Sequence, residues 1–274
     1  MKKSKVGIYL LAILLSIYCL FPFLWMLISS LKPINEIRAT VPTFIIKSPT
    51  FENFQRVLFD AGFVTYIKNS LIVSTISCLI SLVISICAGY VFSRFFRLRI
   101  VKFANLFMLL SQMIPGVLLL VPLYIIMRNL RVLDSYISLI LAYTTFVIPM
   151  CTFMMSSFFD SVPKALEEAA EIDGYNRIQI LFKIILPISL PTIISTGLYA
   201  FINAWNEFMF GYIFISREQY RTLTPAIMLF KGTNTVDWGA LMAASVIALI
   251  PVTVLFLFLQ RYFIAGLASG SVKG

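Results

Sequence analysis

The sequence contains no histidine, and only four cysteines, Cys19, Cys78, Cys87 and Cys151. All four cysteines fall inside apolar segments and lack the short spacings that bind metals. No GxxxxGK(S/T) run is present, so the chain has no P-loop with which to hold nucleotide phosphates. These absences argue against metal and redox chemistry. We therefore predict no catalytic residues, no metal site and no cofactor, and any dependence on ATP has to come from a partner.

Charge is also scarce. Only 12% of the 274 residues are charged, 60% are hydrophobic and the mean hydropathy is +0.94, whereas an ordinary soluble domain has about 25% charged residues. The composition predicts an integral membrane protein. The net charge of +10 does not indicate nucleic-acid binding, because the Lys and Arg residues are scattered between apolar segments and form no continuous basic stripe.

Long apolar runs dominate the chain. The first follows Lys2, Lys3 and Lys5, and its extent from Val6 to about Ser30 exceeds the roughly 7 to 15 apolar residues of a secretory signal, so we expect a retained helix. A span needs about 20 apolar residues. The predicted fold class is an all-α integral membrane protein, a single domain over residues 1–274 with six transmembrane helices near 6–30, 70–92, 103–127, 136–159, 191–215 and 239–260.

Basic residues indicate how these six spans are oriented. One short loop carries four of them, Arg94, Arg97, Arg99 and Lys102. Short loops rich in Lys and Arg stay on the cytoplasmic side of a membrane. Together with the N-terminal lysines, this predicts a multi-pass protein with both termini in the cytoplasm, along with the loops near 93–102 and 160–190.

The third span is predicted to be a kinked helix. The stretch MIPGVLLLVPLY places two prolines and a glycine within one membrane segment, at Pro115, Pro122 and Gly116. Proline removes a helical hydrogen bond, and the freed backbone groups must be satisfied by neighbouring helices or a water-lined cavity.

A charged segment from Pro163 to Pro187 separates two apolar runs. A short helix is predicted up to Asp173, with Gly174 as its C-terminal stop. A second helix is predicted to begin at Asn176, a good N-cap residue, and to end near Pro187. Small and apolar residues fall on one face of the first helix. The opposite, charged side is formed by Lys164, Glu167, Glu168 and Glu171.

The spacing within this segment resembles the EAA loop of ABC importer permeases: Glu168-Ala169-Ala170, three residues, Gly174, nine residues, Ile184, one residue, Leu186-Pro187. In that family the loop is a cytoplasmic docking element whose short helix sits in a groove of the ATPase subunit. Small residues allow close approach, and carboxylates suit a basic groove. The resemblance implies that the ATPase-docking residues are Glu167, Glu168, Ala169, Ala170, Glu171, Asp173 and Gly174.

The alternative for this loop is an amphipathic connector lying on the bilayer. Interfacial helices usually carry Lys and Arg on their polar face, whereas this one is acidic. The composition of the loop therefore favours docking.

Other stretches resemble carbohydrate importer permeases of the maltose type: SLKP (30–33), PTFENF (49–54), NSLIVS (69–74) and the ending QRYFIAGLASGSVKG (260–274). The resemblance implies a subunit of the bacterial plasma membrane that forms half of the translocation path for a di- or oligosaccharide. Its implied partners are a second permease subunit, two ABC ATPase subunits that bind ATP, and an extracytoplasmic solute-binding protein. In such systems the last external loop, here 216–238, reaches the binding protein, and the tail lies along the ATPase dimer.

Polar residues interrupt the fifth apolar segment. Asn203, Asn206 and Glu207 stand three and four residues apart, so we predict that they share one inward face of a helix. One interpretation is a translocation path whose amide and carboxylate groups bond sugar hydroxyls. The other is a polar contact with the partner permease, because small polar residues also join membrane helices.

Three other functions are weighed against a sugar importer. A proton-coupled secondary transporter could use Glu207, the only clear acid inside a span, but this would not explain the EAA spacing. An ABC permease for a non-sugar solute would keep that loop. A membrane enzyme is disfavoured because the chain lacks histidine and has no clustered acids near a span end.

Overall fold

Helices make up the protein. The structure is a computed structural model that describes residues 2–39, 41–232 and 235–271, and the side chains of 6–39, 41–232 and 235–260. In chain order the helices are α1 (Lys2–Ser30), α2 (Ile34–Ile37), α3 (Glu52–Gln55), α4 (Phe63–Arg94), α5 (Arg99–Gln112), α6 (Leu120–Asn129), α7 (Tyr136–Ser161), α8 (Ala165–Ile172), α9 (Arg177–Ile180), α10 (Leu186–Ile188), α11 (Leu190–Asn206), α12 (Met209–Phe214), α13 (Leu223–Ala226) and α14 (Trp238–Ser271).

Tighter and wider turns flank some of these helices. Turns of π-helix at Arg56–Asp60 and Leu181–Ile185 follow α3 and join α9 to α10. Turns of 3₁₀-helix occupy Gly116–Leu119, Glu218–Tyr220 and Ile227–Phe230. The chain forms two compact units, one comprising Met1–Ile67 and Pro225–Pro251 and the other Lys68–Thr224 and Val252–Gly274.

Four of the six predicted spans correspond to single helices, and the third and fifth overlap two bent pairs, the second of which also includes 177–188 of the predicted docking loop. Four stretches are long and apolar enough to cross a membrane unaided: Val6–Ser30, Phe63–Arg94, Tyr136–Ser161 and Trp238–Gln260. Two further stretches, Arg99–Gln112 with Gly116–Asn129 and Arg177–Ile188 with Leu190–Asn206, qualify as pairs. The described chain therefore has six candidate spans if each bent pair counts as one.

The third span is broken rather than kinked. The helix α5 ends at Gln112, and the axes on the two sides of the break differ by 100°. Pro115 has no amide hydrogen to continue the helix, and a 3₁₀ turn from Gly116 leads into α6. Pro122 lies in the first turns of α6, where proline is tolerated. The predicted span over 103–127 thus overlaps two helices that meet at a sharp bend, where the sequence predicted one kinked helix.

The fifth span also departs from the prediction. Its helix α11 starts at Leu190 and ends at Asn206, and Glu207 has an extended backbone with φ −66° and ψ 128°. A separate short helix, α12, follows. The predicted continuous helix over 191–215 is therefore wrong, and the pair α9–α10 and α11 is bent by 82°.

In the first unit a buried asparagine fixes the segment after α1. The Asn53 side-chain amide donates to the carbonyl oxygens of Ser30 (2.8 Å) and Lys32 (2.9 Å). Its oxygen accepts a hydrogen bond of 2.6 Å from Arg56, which also forms an ion pair of 2.8 Å with Asp237. Asn53 of the PTFENF stretch therefore has an internal hydrogen-bonding role.

In the second unit the helix α4 packs through small residues. A row of buried serines follows one face at helical spacing: Ser70, Ser74, Ser77, Ser81 and Ser85. Ser85 donates to the Ile148 carbonyl of α7 at 3.3 Å, and Cys78 donates to the Gly197 carbonyl of α11 at 3.2 Å. Small side chains let helix backbones approach closely in a membrane. This packing sets the framework that carries α8 and the end of α11.

Two regions singled out in the sequence lie partly outside the described residues. The tail 260–274 begins within α14, and its residues 272–274 are outside the described part. The loop 216–238 contains two such residues, 233 and 234.

Candidate functional site

The helix α8 ends as the sequence predicts, at a glycine. Gly174 has φ +86°, a left-handed conformation that glycine adopts without steric cost. The Tyr175 amide donates to the Ala170 carbonyl at 3.0 Å, and the Gly174 amide donates to the Glu171 carbonyl at 3.1 Å. These bonds satisfy carbonyls left free at the helix end. The helix itself, Ala165–Ile172, is slightly shorter than predicted.

The second helix of the loop also starts as predicted. The Asn176 side chain accepts a hydrogen bond from the Gln179 amide (2.9 Å), and the Gln179 side chain accepts one from the Asn176 amide (2.9 Å). This reciprocal capping box satisfies two amides at the start of α9. The helical path then continues through the π turn into α10, up to Ile188. The loop is thus a helix, a glycine turn and a helix.

Most of the predicted docking residues form one accessible surface. Glu168, Ala169, Glu171, Asp173 and Gly174 are exposed. Ile172, on the same short helix, is 86% exposed. Ala170 is buried and packs with Tyr90, Phe159 and Ile180 in the core beneath the helix. The small and acidic residues are therefore exposed, apart from Ala170 and Glu167.

Glu167 does not lie on the exposed surface where the predicted docking residues were expected. Its carboxylate does not lie on the exposed acidic side but is buried against α4. One oxygen accepts a hydrogen bond of 2.6 Å from Nε of Arg94, and the other accepts one of 2.8 Å from the Tyr90 hydroxyl. Helical spacing alone could not show this, because the partner Arg94 lies 73 residues away and has the sequence signature of a topology signal. The one signal in the sequence was the position of Arg94 in the last turn of a membrane span.

A small cavity lies beside the end of α11. It has a volume of about 130 Å³ and is lined by Tyr143, Phe146, Val147, Tyr199, Asn203, Ala204, Glu207 and Phe210. Two of the three predicted path residues, Asn203 and Glu207, thus share one cavity. Asn206, the last residue of α11, is exposed like Asn203 but is not among the lining residues. That all three share one inward face stays a prediction.

The polar groups of the cavity are anchored within the chain. The Asn203 amide donates to the Tyr199 carbonyl at 2.8 Å. The Glu207 carboxylate accepts hydrogen bonds from the amides of Phe210 (2.9 Å) and Gly211 (3.1 Å). A carboxylate placed before a helix satisfies its free amides, so Glu207 caps α12. This capping is the physical reason that α11 does not continue.

No metal site accompanies either region. Within 2–39, 41–232 and 235–271, no group of three or more acidic or cysteine side chains is placed to hold a metal ion. The chemistry available to the cavity is hydrogen bonding from an amide and a carboxylate against aromatic walls.

The family comparison matches residues 81–269 to the binding-protein-dependent transport system inner membrane component family. This range contains α8, the glycine turn and the cavity. The chain belongs to this family. The match covers more than half of the sequence, so membership does not depend on the EAA spacing alone.

Full-length relatives agree with the assignment of this permease. The sulfoquinovosyl glycerol transport system permease protein of Agrobacterium fabrum is 36% identical over 266 residues, 97% of this chain and 93% of that protein. The trehalose/maltose transport system permease protein of Thermococcus litoralis is 39% identical over 273 residues, 96% of this chain and 95% of that protein. The predicted family is thereby confirmed.

A solved structure supports the fold. One chain of a bacterial ABC transporter involved in the import of the polysaccharide alginate superposes with a TM-score of 0.82, covering 96% of this chain and 98% of that one, at 20% identity. The permease is thus a helical transport component of an ABC system and not an enzyme. Its family implies a separate ATPase and a binding protein as partners. The predicted class, an all-α membrane protein, is confirmed.

Proposed function

We propose that this permease is one half of the translocation path of an ATP-driven importer for a di- or oligosaccharide in the bacterial plasma membrane. A second, different permease forms the other half, two ATPase subunits bind the ATP, and an extracytoplasmic binding protein delivers the sugar. The substrate class is supported by the relatives, which are named for transport of sulfoquinovosyl glycerol and of trehalose and maltose. A non-sugar solute has no such support.

The observation that carries the proposal is the surface of α8. Small and acidic side chains stand exposed at the end of a helical turn, with Ile172 almost wholly accessible. Ile172 adds an apolar part to this small and acidic surface. The neighbouring carboxylates of Glu168 and Glu171 suit a basic groove. We assign this surface to docking on the ATPase, with Glu168, Ala169, Glu171, Asp173 and Gly174 as contact residues.

The proposed topology puts both termini and α8 in the cytoplasm. The support is the density of basic residues in the short loop around Arg97 and at the N-terminus. A reporter that is active only outside the membrane should then work when it is fused after Tyr220 and fail after Asp173. Activity of the Asp173 fusion would rule out docking on a cytoplasmic ATPase.

The cavity beside α11 is the proposed contribution of this subunit to the path. Aromatic walls from Phe146 and Tyr199 face the amide of Asn203 and the carboxylate of Glu207. Sugars offer apolar C–H faces and hydroxyl groups, and they bind between aromatic rings and a few placed polar groups. Asn206, which lies outside the cavity, is left to the alternative role of a contact with the partner permease.

The docking claim can be tested on the reconstituted complex. Ala169→Trp places a bulky ring on the exposed face, and Glu168→Lys reverses a surface charge. Both should lower the retained ATPase subunit and the sugar-stimulated ATP hydrolysis, while membrane insertion is unchanged. Glu52→Lys, at an exposed acid of the other unit, is the control. Normal stimulation with both docking variants would leave the loop as a mere connector.

A further inference from the structure

A buried ion pair joins the docking helix to the end of α4. Arg94 is the last residue of α4, and Glu167 lies in the first turn of α8. The atoms Nε of Arg94 and Oε1 of Glu167 are 2.6 Å apart, and the two side chains are only 5% and 10% exposed. Charges are rarely buried unless they are paired and hydrogen-bonded. A solvent-exposed loop would not require this pair to be buried, so its burial calls for a structural explanation.

Arg94 bonds a third element as well. Its Nη1 donates to the carbonyl oxygen of Phe159 at 2.8 Å, and its Nη2 donates to that of Val162 at 3.3 Å. Both carbonyls lie at the C-terminal end of α7, where the helix dipole attracts positive charge. The planar guanidinium offers its donors in a rigid fork, so one side chain holds the ends of α4, α7 and α8 together.

Tyr90 completes the arrangement on the carboxylate side. Its hydroxyl donates to the second oxygen of Glu167 at 2.8 Å, and its ring lies edge to face with Phe159 at 5.9 Å between centroids. Tyr90 and Arg94 are four residues apart and so share one face of α4. Both oxygens of Glu167 are therefore bonded to α4. A carboxylate that is hydrogen-bonded through both oxygens cannot rotate freely relative to that helix.

Along the chain, α8 is connected to its neighbouring helices by short turns. Val162 and Pro163 precede the helix, and Gly174 follows it in a left-handed conformation. From these contacts we propose that Glu167, Arg94 and Tyr90 are positioning residues that make α8 move as one body with the adjoining ends of α4 and α7. A displacement of the docking helix then reaches two membrane spans directly through side chains. This inference rests on the proposed docking role of α8.

Stability alone would be a different role. Breaking a buried pair destabilises a protein, so a loss of folded protein would not separate the two roles. The positioning role predicts something else: the complex assembles and hydrolyses ATP, but hydrolysis no longer drives transport. The informative quantity is the amount of sugar transported per ATP hydrolysed, at a known amount of retained ATPase subunit.

The test uses the complete complex in proteoliposomes. Glu167→Gln, Arg94→Lys and Tyr90→Phe each weaken the arrangement while nearly preserving side-chain size. Sugar transported per ATP should fall below the wild-type ratio in Glu167→Gln, with ATPase retention unchanged. Arg97→Lys, in the exposed part of the same loop, should leave the ratio at the wild-type value.

A second readout needs no ATPase. Spin labels on cysteines introduced at Ile172 and at the exposed Val91 of α4, in a permease lacking Cys19, Cys78, Cys87 and Cys151, report the distance between α8 and the end of α4. Glu167→Gln should broaden that distance distribution. The proposal requires both effects, so a normal transport ratio or an unchanged distribution overturns it.

Each failure has its own signature. A wild-type complex without sugar-stimulated hydrolysis would defeat the proposed function, whereas a normal ratio in the variants would defeat only the positioning role. If Glu167→Gln fails to assemble, Tyr90→Phe decides the question, because it removes a single hydroxyl. A lowered ratio there supports the proposal, and an unchanged ratio overturns it.

Discussion

Gly89 of α4 lies directly against Met155 of α7, where a β-carbon on the glycine would be 2.8 Å from the Met155 Cβ and 3.0 Å from the Ser156 amide nitrogen. Two carbon atoms do not approach so closely, and the second neighbour is backbone that cannot turn away. The contact between these helices therefore depends on the missing side chain.

Gly89→Leu should separate α4 from α7. Overpacking of this kind costs about 1–3 kcal/mol, so the melting temperature of the purified permease in detergent should fall. Gly7→Leu is the matched control, because no neighbouring side chain that the structure describes lies within 4 Å of a β-carbon at that position. Equal melting temperatures of the two variants would contradict the described packing.

Asn53→Ala should loosen the segment after α1. The substitution leaves the buried carbonyls of Ser30 and Lys32 without their donor and Arg56 without one acceptor. Leaving a buried polar group unpaired costs about 1–3 kcal/mol, measurable as a lower denaturation midpoint. Gln55→Ala, two residues away on the exposed side, should be close to neutral. An unchanged denaturation midpoint for Asn53→Ala would contradict the internal role assigned to this residue.

Gly174→Ala should strain the turn between the two helices of the docking loop. Apart from the two chain neighbours, no described residue has an atom within 4 Å of where the alanine methyl group would stand, so the backbone conformation is what opposes the change. A left-handed conformation costs a non-glycine residue about 1–2 kcal/mol. Hydrogen exchange of the Tyr175 amide should accelerate. Gly174→Asn, whose side chain tolerates this conformation, should exchange more slowly than Gly174→Ala, and the reverse order would contradict the prediction.

Cysteines at Asn203 and Glu207 should react with a water-borne thiol reagent if the cavity belongs to the translocation path. The four native cysteines are first replaced. Ala200→Cys, one turn earlier on α11 and buried, is the control that should stay unreactive. Protection of both cavity positions in the assembled complex would favour helix packing over a path.

Much of the docking loop could be predicted because its determinants are local. Gly174 stops a helix and Asn176 starts one through interactions within a few residues, and both follow from residue type. The burial of Glu167 could not be predicted in this way. Its position on the helix placed it among exposed acids, and only the distant Arg94 gives it a partner.

The third and fifth spans also show where prediction from local sequence fails. Apolar length identified both regions but not their continuity. Pro115 signalled a disturbance, whereas the size of the bend depends on what packs around it. At Glu207 a helix of ordinary composition ends because the carboxylate bonds the next two free amides, Phe210 and Gly211, instead of extending the helical face.

The buried serines of α4 carry a consequence for which residues can replace them. The hydroxyls of Ser74, Ser77 and Ser81 have no hydrogen-bond partner among the residues that the structure describes. Removing such a group breaks no bond, so Ser77→Ala should keep or raise the melting temperature, while Ser77→Leu should lower it. A lower melting temperature for Ser77→Ala would reveal a bond to the hydroxyl. At these three positions the helix face thus limits volume rather than requiring polarity, and alanine would meet that limit as well as serine does, whereas Ser85 keeps its bond to the Ile148 carbonyl.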